Sequence, residues 1–232
     1  MLEQVRNADD LQACLDRAST FLGFDFYSIS QYNTLSLGVA ISSFPERWAE
    51  HAQTHGYWRH NPVAAVSRRS VSGFAWTEMR TRITLTTAQK EILRAMRAHG
   101  VANGFTVPAN FGNGVSGSVS FGLQSGRAMP MSLLPAAVFI GGFAFEAYER
   151  ISQAGVARVQ HAPLSSRQID CITLVARGKT DWEIGRLLGI SKDTAHKHVQ
   201  SAMKRLGVSS RTQLVAHALF EGHILYSDIL TY

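Results

Sequence analysis

Between Leu164 and Leu219 the chain repeats one pattern four times: a small polar residue, an apolar stripe at helical spacing and, in three cases, a closing glycine. Ser165 and Gln168 are spaced as a capping box, in which each side chain satisfies the other's backbone N–H at a helix start. Ile169, Ile172, Leu174, Val175 and Ala176 follow, with Gly178 as the candidate C-cap. Thr180 and Glu183 open a short second helix carrying Trp182, Ile184, Leu187 and Leu188, closed by Gly189. Ser191 starts a third helix running to Leu206, before Gly207. Ser209 or Ser210 starts a fourth, through Leu214, Val215, Ala218 and Leu219. Gly189 and Ile190 alone separate the second and third helices, the tight connection of a helix-turn-helix. Such a segment is confined to a small all-α unit.

The third helix has two faces. Ala195, Val199, Met203 and Leu206 recur at three- and four-residue spacing and face a core. Lys192, Asp193, His196, Lys197, Gln200, Lys204 and Arg205 lie on the other side. Polar groups for base edges and basic groups for phosphates are what a helix in the major groove requires. An ordinary amphipathic helix with a solvated basic face carries the same residue types; the four-helix order around this turn favours the DNA reading.

The segment resembles the C-terminal domain of the LuxR family of transcription factors. The matching residues include Leu164, Ser165, Arg167, Ala176, Gly178, Thr180, Glu183, Ile184, Leu188, Gly189, Ile190, Ser191, Thr194, Val199, Lys204, Leu206, Gly207, Arg211 and Gln213. Gln168 stands where the family has Glu, and Ala195 where Val is usual. The resemblance implies a DNA contact set of Lys192, Thr194, His196, Lys197, Gln200, Lys204, Arg205 and Arg211, with Glu183 in a structural role at a helix start.

The net charge of +6 in 232 residues favours anionic partners. It does not separate along the chain: nine Lys/Arg and six Asp/Glu lie from Leu164 onward, fourteen and eleven before it. Helix faces therefore carry the DNA argument, and bulk charge does not. Cys14 and Cys171 both fall on apolar helix faces, as buried thiols of a reducing compartment do. The N-terminus MLEQVRNADD shows no secretory apolar region. The longest nearly continuous apolar run, Leu133 to Phe145, falls short of the roughly 20 residues of a membrane-spanning helix. A cytoplasmic protein without a membrane partner is expected.

Residues 1–154 read as a first domain, 155–163 as a linker lacking large apolar residues apart from Val156 and Val159, and 164–232 as the DNA-binding domain. The expected order in the first is a helix over Asp9–Leu22; strands over Phe24–Tyr32 and Leu35–Ser42; helices from Pro45 to about His55 and from Asn61-Pro62 to about Arg69; a looser segment with Phe74 and Trp76; a helix from Thr86 or Thr87 to Gly100; strands over Asn103–Pro108 and Gly117–Leu123; and a long helix from about Ser132 to Gln153. In the first strand Phe26, Ser28 and Ser30 alternate with Tyr27 and Ile29. The whole is an α+β chain: an N-terminal α/β/α sandwich with an antiparallel sheet, of the kind found in GAF and PAS sensor domains, then the helical domain.

Gly112, Gly114 and Gly117 spell G-x-G-x-x-G, but a dinucleotide fingerprint requires a helix to follow, and VSGSVSFGL is strand-like. A hairpin loop is expected instead. His51 and His55 share a helix face with no carboxylate or cysteine to complete a metal set, so they read as surface or pocket-edge residues. No cofactor and no catalytic residues are expected.

The first domain also resembles the LuxR family, in its autoinducer-binding half. The family has a Trp, an Asp-Pro thirteen residues on and a second Trp fifteen after the Asp; Trp48, Asn61-Pro62 and Trp76 keep those separations. The NGFTVP run at Asn103 and Ser120 in the last strand also match. The resemblance implies a small-ligand pocket formed by Phe44, Trp48, Ala52, Tyr57, Asn61, Phe74, Trp76, Gly104 and Ser120. In the family, the first Trp donates its indole N–H to the lactone carbonyl of an N-acyl homoserine lactone, the Asp accepts the ligand's amide N–H and a Tyr binds the acyl carbonyl. Here the Asp position is Asn61 and the Tyr position is Phe44, and Ala52 replaces a common aromatic. Three outcomes stay open: the same ligand bound more weakly, a different ligand with an acceptor aimed at the Asn61 amide, or function without ligand. The resemblance implies a homodimer that reads a roughly palindromic promoter site and works with RNA polymerase. A pocket enzyme and a heterodimerising interaction protein are the alternatives from other classes.

Overall fold

The computed structural model describes residues 5–32, 37–110, 116–154 and 163–230. The expected linker therefore lies outside the described residues except for Pro163, as do Gly112 and Gly114 of the glycine-rich loop. The chain divides into two compact units, with residues to 154 in the first and from 163 in the second.

The first unit is built on a five-stranded antiparallel sheet in the order β2-β1-β5-β4-β3. Its strands are β1 (Phe26–Tyr32), β2 (Leu37–Ser42), β3 (Phe74–Ala75), β4 (Asn103–Asn110) and β5 (Ser116–Leu123). β4 pairs directly with β5, Asn110 opposite Ser116, so a strand and no helix follows the glycine-rich loop. β3 was not expected as a strand. Two residues are too few to show alternation, and its pairing of Phe74 with Thr106 and Ala75 with Phe105 is a tertiary contact.

Period-two alternation sends the two sides of each strand to different cores. Tyr27, Ile29, Phe105, Val107, Val119, Phe121 and Leu123 point to one face. That face is covered by α1 (Ala8–Leu22) and α6 (Leu134–Ala154), which bury Leu11, Leu15 and Leu22, and Ala137, Ala144 and Phe145. Each fully buried Leu or Phe contributes about 1.5–3 kcal/mol. Asn7 caps α1 by accepting from the Asp10 N–H at 2.8 Å. The 22-residue stretch Met131–Ser152 is long and apolar enough to cross a membrane by length and composition, longer than the apolar run seen in the sequence. Here one side of it lies on the sheet.

The other face is covered by α2 (Glu46–Thr54), α3 (Pro62–Ser67), α4 (Met79–Arg82) and α5 (Thr87–Ala98). Their core comprises Trp48, Val63, Val66, Phe74, Trp76, Met79, Ile92 and Met96. Thr86 and Gln89 form the capping box of α5.

The second unit holds α7 (Ser166–Ala176), α8 (Asp181–Leu188), α9 (Lys192–Arg205), α10 (Arg211–Phe220) and a short α11 (Tyr226–Ile229). The expected N-caps are in place; α7 ends on Arg177 as its C-cap, and Gly178, expected in that role, follows it with a φ of 77°. Ser165 and Gln168, and Thr180 and Glu183, form complete capping boxes; Ser191 caps α9, and Ser210 caps α10. Glu183 Oε2 accepts from both the N–H and the hydroxyl of Thr180 at 2.8 Å, the structural role expected of it. Gly189 takes a φ of 66°, a left-handed conformation that costs glycine little and turns the chain sharply into α9. Cys171, Ile172, Ile184, Ala195, Val199, Ala202 and Leu214 form the core. Cys14 and Cys171 are both free and buried.

Candidate ligand cavity and DNA-facing helix

A cavity of about 430 Å³ lies between the sheet and α2, α3 and α5, within the volume range of small-molecule sites. Its floor is a group of hydroxyls. The register places Ser28 opposite both Ser42 and Ser120, and Ser30 opposite Ser118, so three adjacent strands present serines side by side. Tyr32 Oη lies 2.5 Å from Ser118 Oγ, and Thr106 Oγ1 lies 2.8 Å from Ser120 Oγ. Ser28 and Ser30 have no hydrogen-bond partner for their hydroxyls among the described residues.

The wall is aromatic and aliphatic. Phe44 packs edge-on to Phe26 and Trp76, with ring centroids 5.9 and 6.4 Å apart. Trp48, 9% exposed, packs 6.1 Å from Tyr57. The two indoles differ in what their N–H groups do. Trp76 Nε1 donates to Thr106 Oγ1 at 2.9 Å, whereas Trp48 Nε1 has no acceptor among the described residues. Asn61 is the N-cap of α3: its Oδ1 accepts from the N–H of Val63 at 2.9 Å and of Ala64 at 3.4 Å. Phe44, Trp48, Ala52, Tyr57, Asn61, Trp76 and Ser120 all line the cavity, and no described lining residue is charged.

Phe74 and Gly104 do not line it. Phe74 is fully buried, with the Arg82 guanidinium 5.3 Å from its ring centroid. Gly104 lies behind Trp76. Sequence reasoning missed the floor residues Ser28, Ser30, Ser42 and Ser118; alternation had put Ser28 and Ser30 on one side of β1, but which side meets a cavity depends on the helices packed there.

His51 and His55 stand at the edge of this region with His99, which spacing did not single out. Ring centroids are 4.1 Å apart for His51 and His55 and 4.4 Å for His51 and His99. Loss of hydration and the neighbouring His55 and His99 hold the His51 imidazole below its ordinary pKa. Among the described residues no group of His, Cys, Asp and Glu is arranged to hold a metal.

In the second unit, Lys192, His196, Lys197, Gln200 and Lys204 are exposed along α9, opposite the buried Ala195, Val199, Ala202 and Met203. The other three expected DNA contacts have partners inside the unit. Thr194 is half-buried, with its hydroxyl 2.8 Å from Ser191 Oγ. Arg205 donates to the Pro163 carbonyl. Arg211 donates to Asp181 Oδ1 at 2.6 Å and to the Lys179 carbonyl at 2.8 Å. Asp181 Oδ2 also lies 2.8 Å from His196 Nδ1, so one carboxylate ties α8 to both α9 and α10. Burial pushes the Asp181 carboxyl up, but hydrogen bonds from His196 and Arg211 outweigh it and hold the group below the usual carboxylate range.

Residues 7–150 match the family model for the autoinducer binding domain, and residues 162–218 that for bacterial regulatory proteins of the luxR family. The protein y4qH of Sinorhizobium fredii is 29% identical over 186 residues, which cover 79% of this chain and only 56% of that protein. The transcriptional activator VanR of Vibrio anguillarum is 22% identical, covering 96% of this chain and 94% of its own. The crystal structure of Escherichia coli SdiA superposes with a TM-score of 0.71 at 23% identity, covering 97% of this chain and 94% of that one, which establishes a shared fold. With both models matched in order along its length, the chain belongs to the LuxR family of bacterial transcriptional regulators, with an autoinducer-binding domain ahead of its DNA-binding domain, and is a regulator and not an enzyme.

Proposed function

We propose that this protein is a cytoplasmic, homodimeric transcription factor whose DNA binding is set by a small, largely apolar signal held in the cavity beneath α2, α3 and α5. The signal is an N-acyl homoserine lactone or a related small molecule. The observation that carries the reading is the cavity itself, an aromatic-walled space with a few convergent polar groups. Ligand in that space binds the folded unit and not the unfolded chain, and so stabilises it by mass action.

Two α9 helices, one from each protomer, would enter the major groove at the two halves of a roughly palindromic site, with RNA polymerase as the further partner. Phe139 at 71% and Phe143 at 51% exposure stand on the outer side of α6, with Met131 just before the helix. Exposed aromatic residues grouped in this way suit a self-complementary dimer contact.

The test is native mass spectrometry of the full chain made in its own host and in a host without acyl homoserine lactone synthesis, with promoter-fragment binding measured alongside. A bound small molecule in the first preparation and salt-dependent DNA binding are expected. An empty cavity in a DNA-binding dimer from both hosts would overturn ligand control. Absence of salt-dependent binding to any fragment near its gene would overturn the DNA reading.

A further inference from the structure

The chemistry at Asn61 selects among signals, on the premise that the cavity binds the controlling ligand. A carboxamide at this position can present either an acceptor or a donor to the cavity, and the helix it starts decides which. Oδ1 is taken by two backbone N–H groups, those of Val63 and Ala64. Turning the amide over would set its NH2 against both donors and strip α3 of its cap. The NH2 group therefore remains for the cavity, and no acceptor for it lies among the described residues. Trp48 Nε1–H, on the same cavity wall, is likewise without an acceptor among them.

This region is thus donor-rich. A ligand N–H placed against Asn61 would meet another N–H, leaving both desolvated and unpaired. An oxygen placed there would complete the amide's bonding. The floor adds a second condition. The hydroxyls of Ser28 and Ser30 have no partner among the described residues, and Ser28 is only 7% exposed. A plain alkyl chain laid over them would remove their water and return nothing. No described side chain lining the cavity is charged, so nothing among them would offset the desolvation of an ionic ligand, and a neutral one is favoured.

We propose that the pocket selects a neutral, oxygen-bearing signal that places an acceptor (a ketone, ester or lactone oxygen) at Asn61, carries no N–H there, and has further oxygen over the Ser28–Ser30 floor. It discriminates against N-acyl amides through the Asn61 NH2 group.

A matched pair of probes tests this on the full chain: N-(3-oxooctanoyl) homoserine lactone, whose 3-oxo group supplies an oxygen for the floor, and its ester isostere, in which the amide N–H is replaced by oxygen. Affinity is read from quenching of tryptophan fluorescence. The native protein is expected to bind the ester at least fivefold more tightly. Asn61→Asp keeps a capping oxygen and brings no N–H; it is expected to reverse the order, with its thermal midpoint confirming that the unit stays folded. Equal or tighter binding of the amide by the native protein overturns the inference while ligand control stands, and this comparison does not depend on the variant folding. A folded Asn61→Asp protein that changes affinity for both probes alike also overturns it. Saturable binding of neither probe overturns the inference, while ligand control is decided separately by the native mass spectrometry of the purified chain.

Discussion

Gly104 lies so close behind Trp76 that a Cβ on it would fall 2.8 Å from two atoms of the indole ring and 2.5 Å from the Phe121 carbonyl oxygen. The glycine contributes no atom to the cavity lining, yet it sets how deep the lining indole sits. That depth also lets Trp76 Nε1 reach Thr106, two residues on along β4. With a backbone oxygen on one side and the indole on the other, Gly104→Ala must displace both the β5 backbone at Phe121 and the Trp76 ring. Overpacking of this kind costs about 1–3 kcal/mol. Chemical denaturation should show the loss, and ligand affinity should fall with it; an unchanged midpoint would mean that the β5 backbone and Trp76 both give way at little cost.

Phe139 and Phe143 expose large aromatic area on the outer side of α6. Phe143→Glu should leave the sheet-facing core of α6 intact and shift the protein toward monomer in sedimentation velocity. DNA affinity should fall with the dimer, since each protomer supplies one α9. A dimer of unchanged stability would place the self-contact elsewhere.

On α9, Lys197 and Gln200 are both exposed but should fail differently. Lys197→Ala is expected to weaken binding to all sequences and to lower the slope of log affinity against log salt by about 1, as loss of one phosphate contact does. Gln200→Ala should relax preference at one base position with little change in salt dependence. Titrations of cognate and scrambled fragments at several salt concentrations separate the two.

Arg211 and Asp181 should behave as a structural pair. Asp181→Ala removes the carboxylate that holds Arg211 and His196, and a loss of about 1–2 kcal/mol is expected from breaking part-exposed, charge-assisted hydrogen bonds. Because the folded Asp181 is held below its ordinary value of 3.8, its contribution is present above that pH and disappears as pH falls through the folded value. Thermal midpoints of native and variant protein should differ at pH 7 and converge in acid, whereas a constant gap would count against the assignment.

The stacked histidines predict a pH dependence in the other unit. His51 titrates below its ordinary value of 6.5 in the folded protein, so the unfolded chain binds more protons as pH drops below that value. Stability should therefore be full above about pH 7 and decline below 6.5. His51→Phe, which keeps a ring in the stack, should flatten that decline. Melting curves between pH 8 and 5.5 read it directly, and an identical slope in the variant would assign the effect to other groups.

Local chemistry determined most of the helical unit. A hydroxyl three residues before Gln168 or Glu183, and a glycine after a short apolar stripe, act over one turn of chain, so the sequence alone located α7, α8 and α9 and their caps. The same is true of Asn61 before Pro62 as a helix start, and of the alternation in β1. Tertiary structure decided what those local features meant. It paired a two-residue β3 with β4, a contact that alternation cannot show in so short a segment. It turned one side of β1, β2 and β5 into a hydroxyl floor by aligning the serines of the β1–β2 pair with those of β5, about ninety positions on. It set Phe74 and Gly104 behind the lining, and it tied Arg211 to a carboxylate thirty positions away. Short-range hydrogen bonding is written in neighbouring residues; which groups share a cavity depends on strand register and on the helices that cover the sheet, and both arise only when the chain closes on itself.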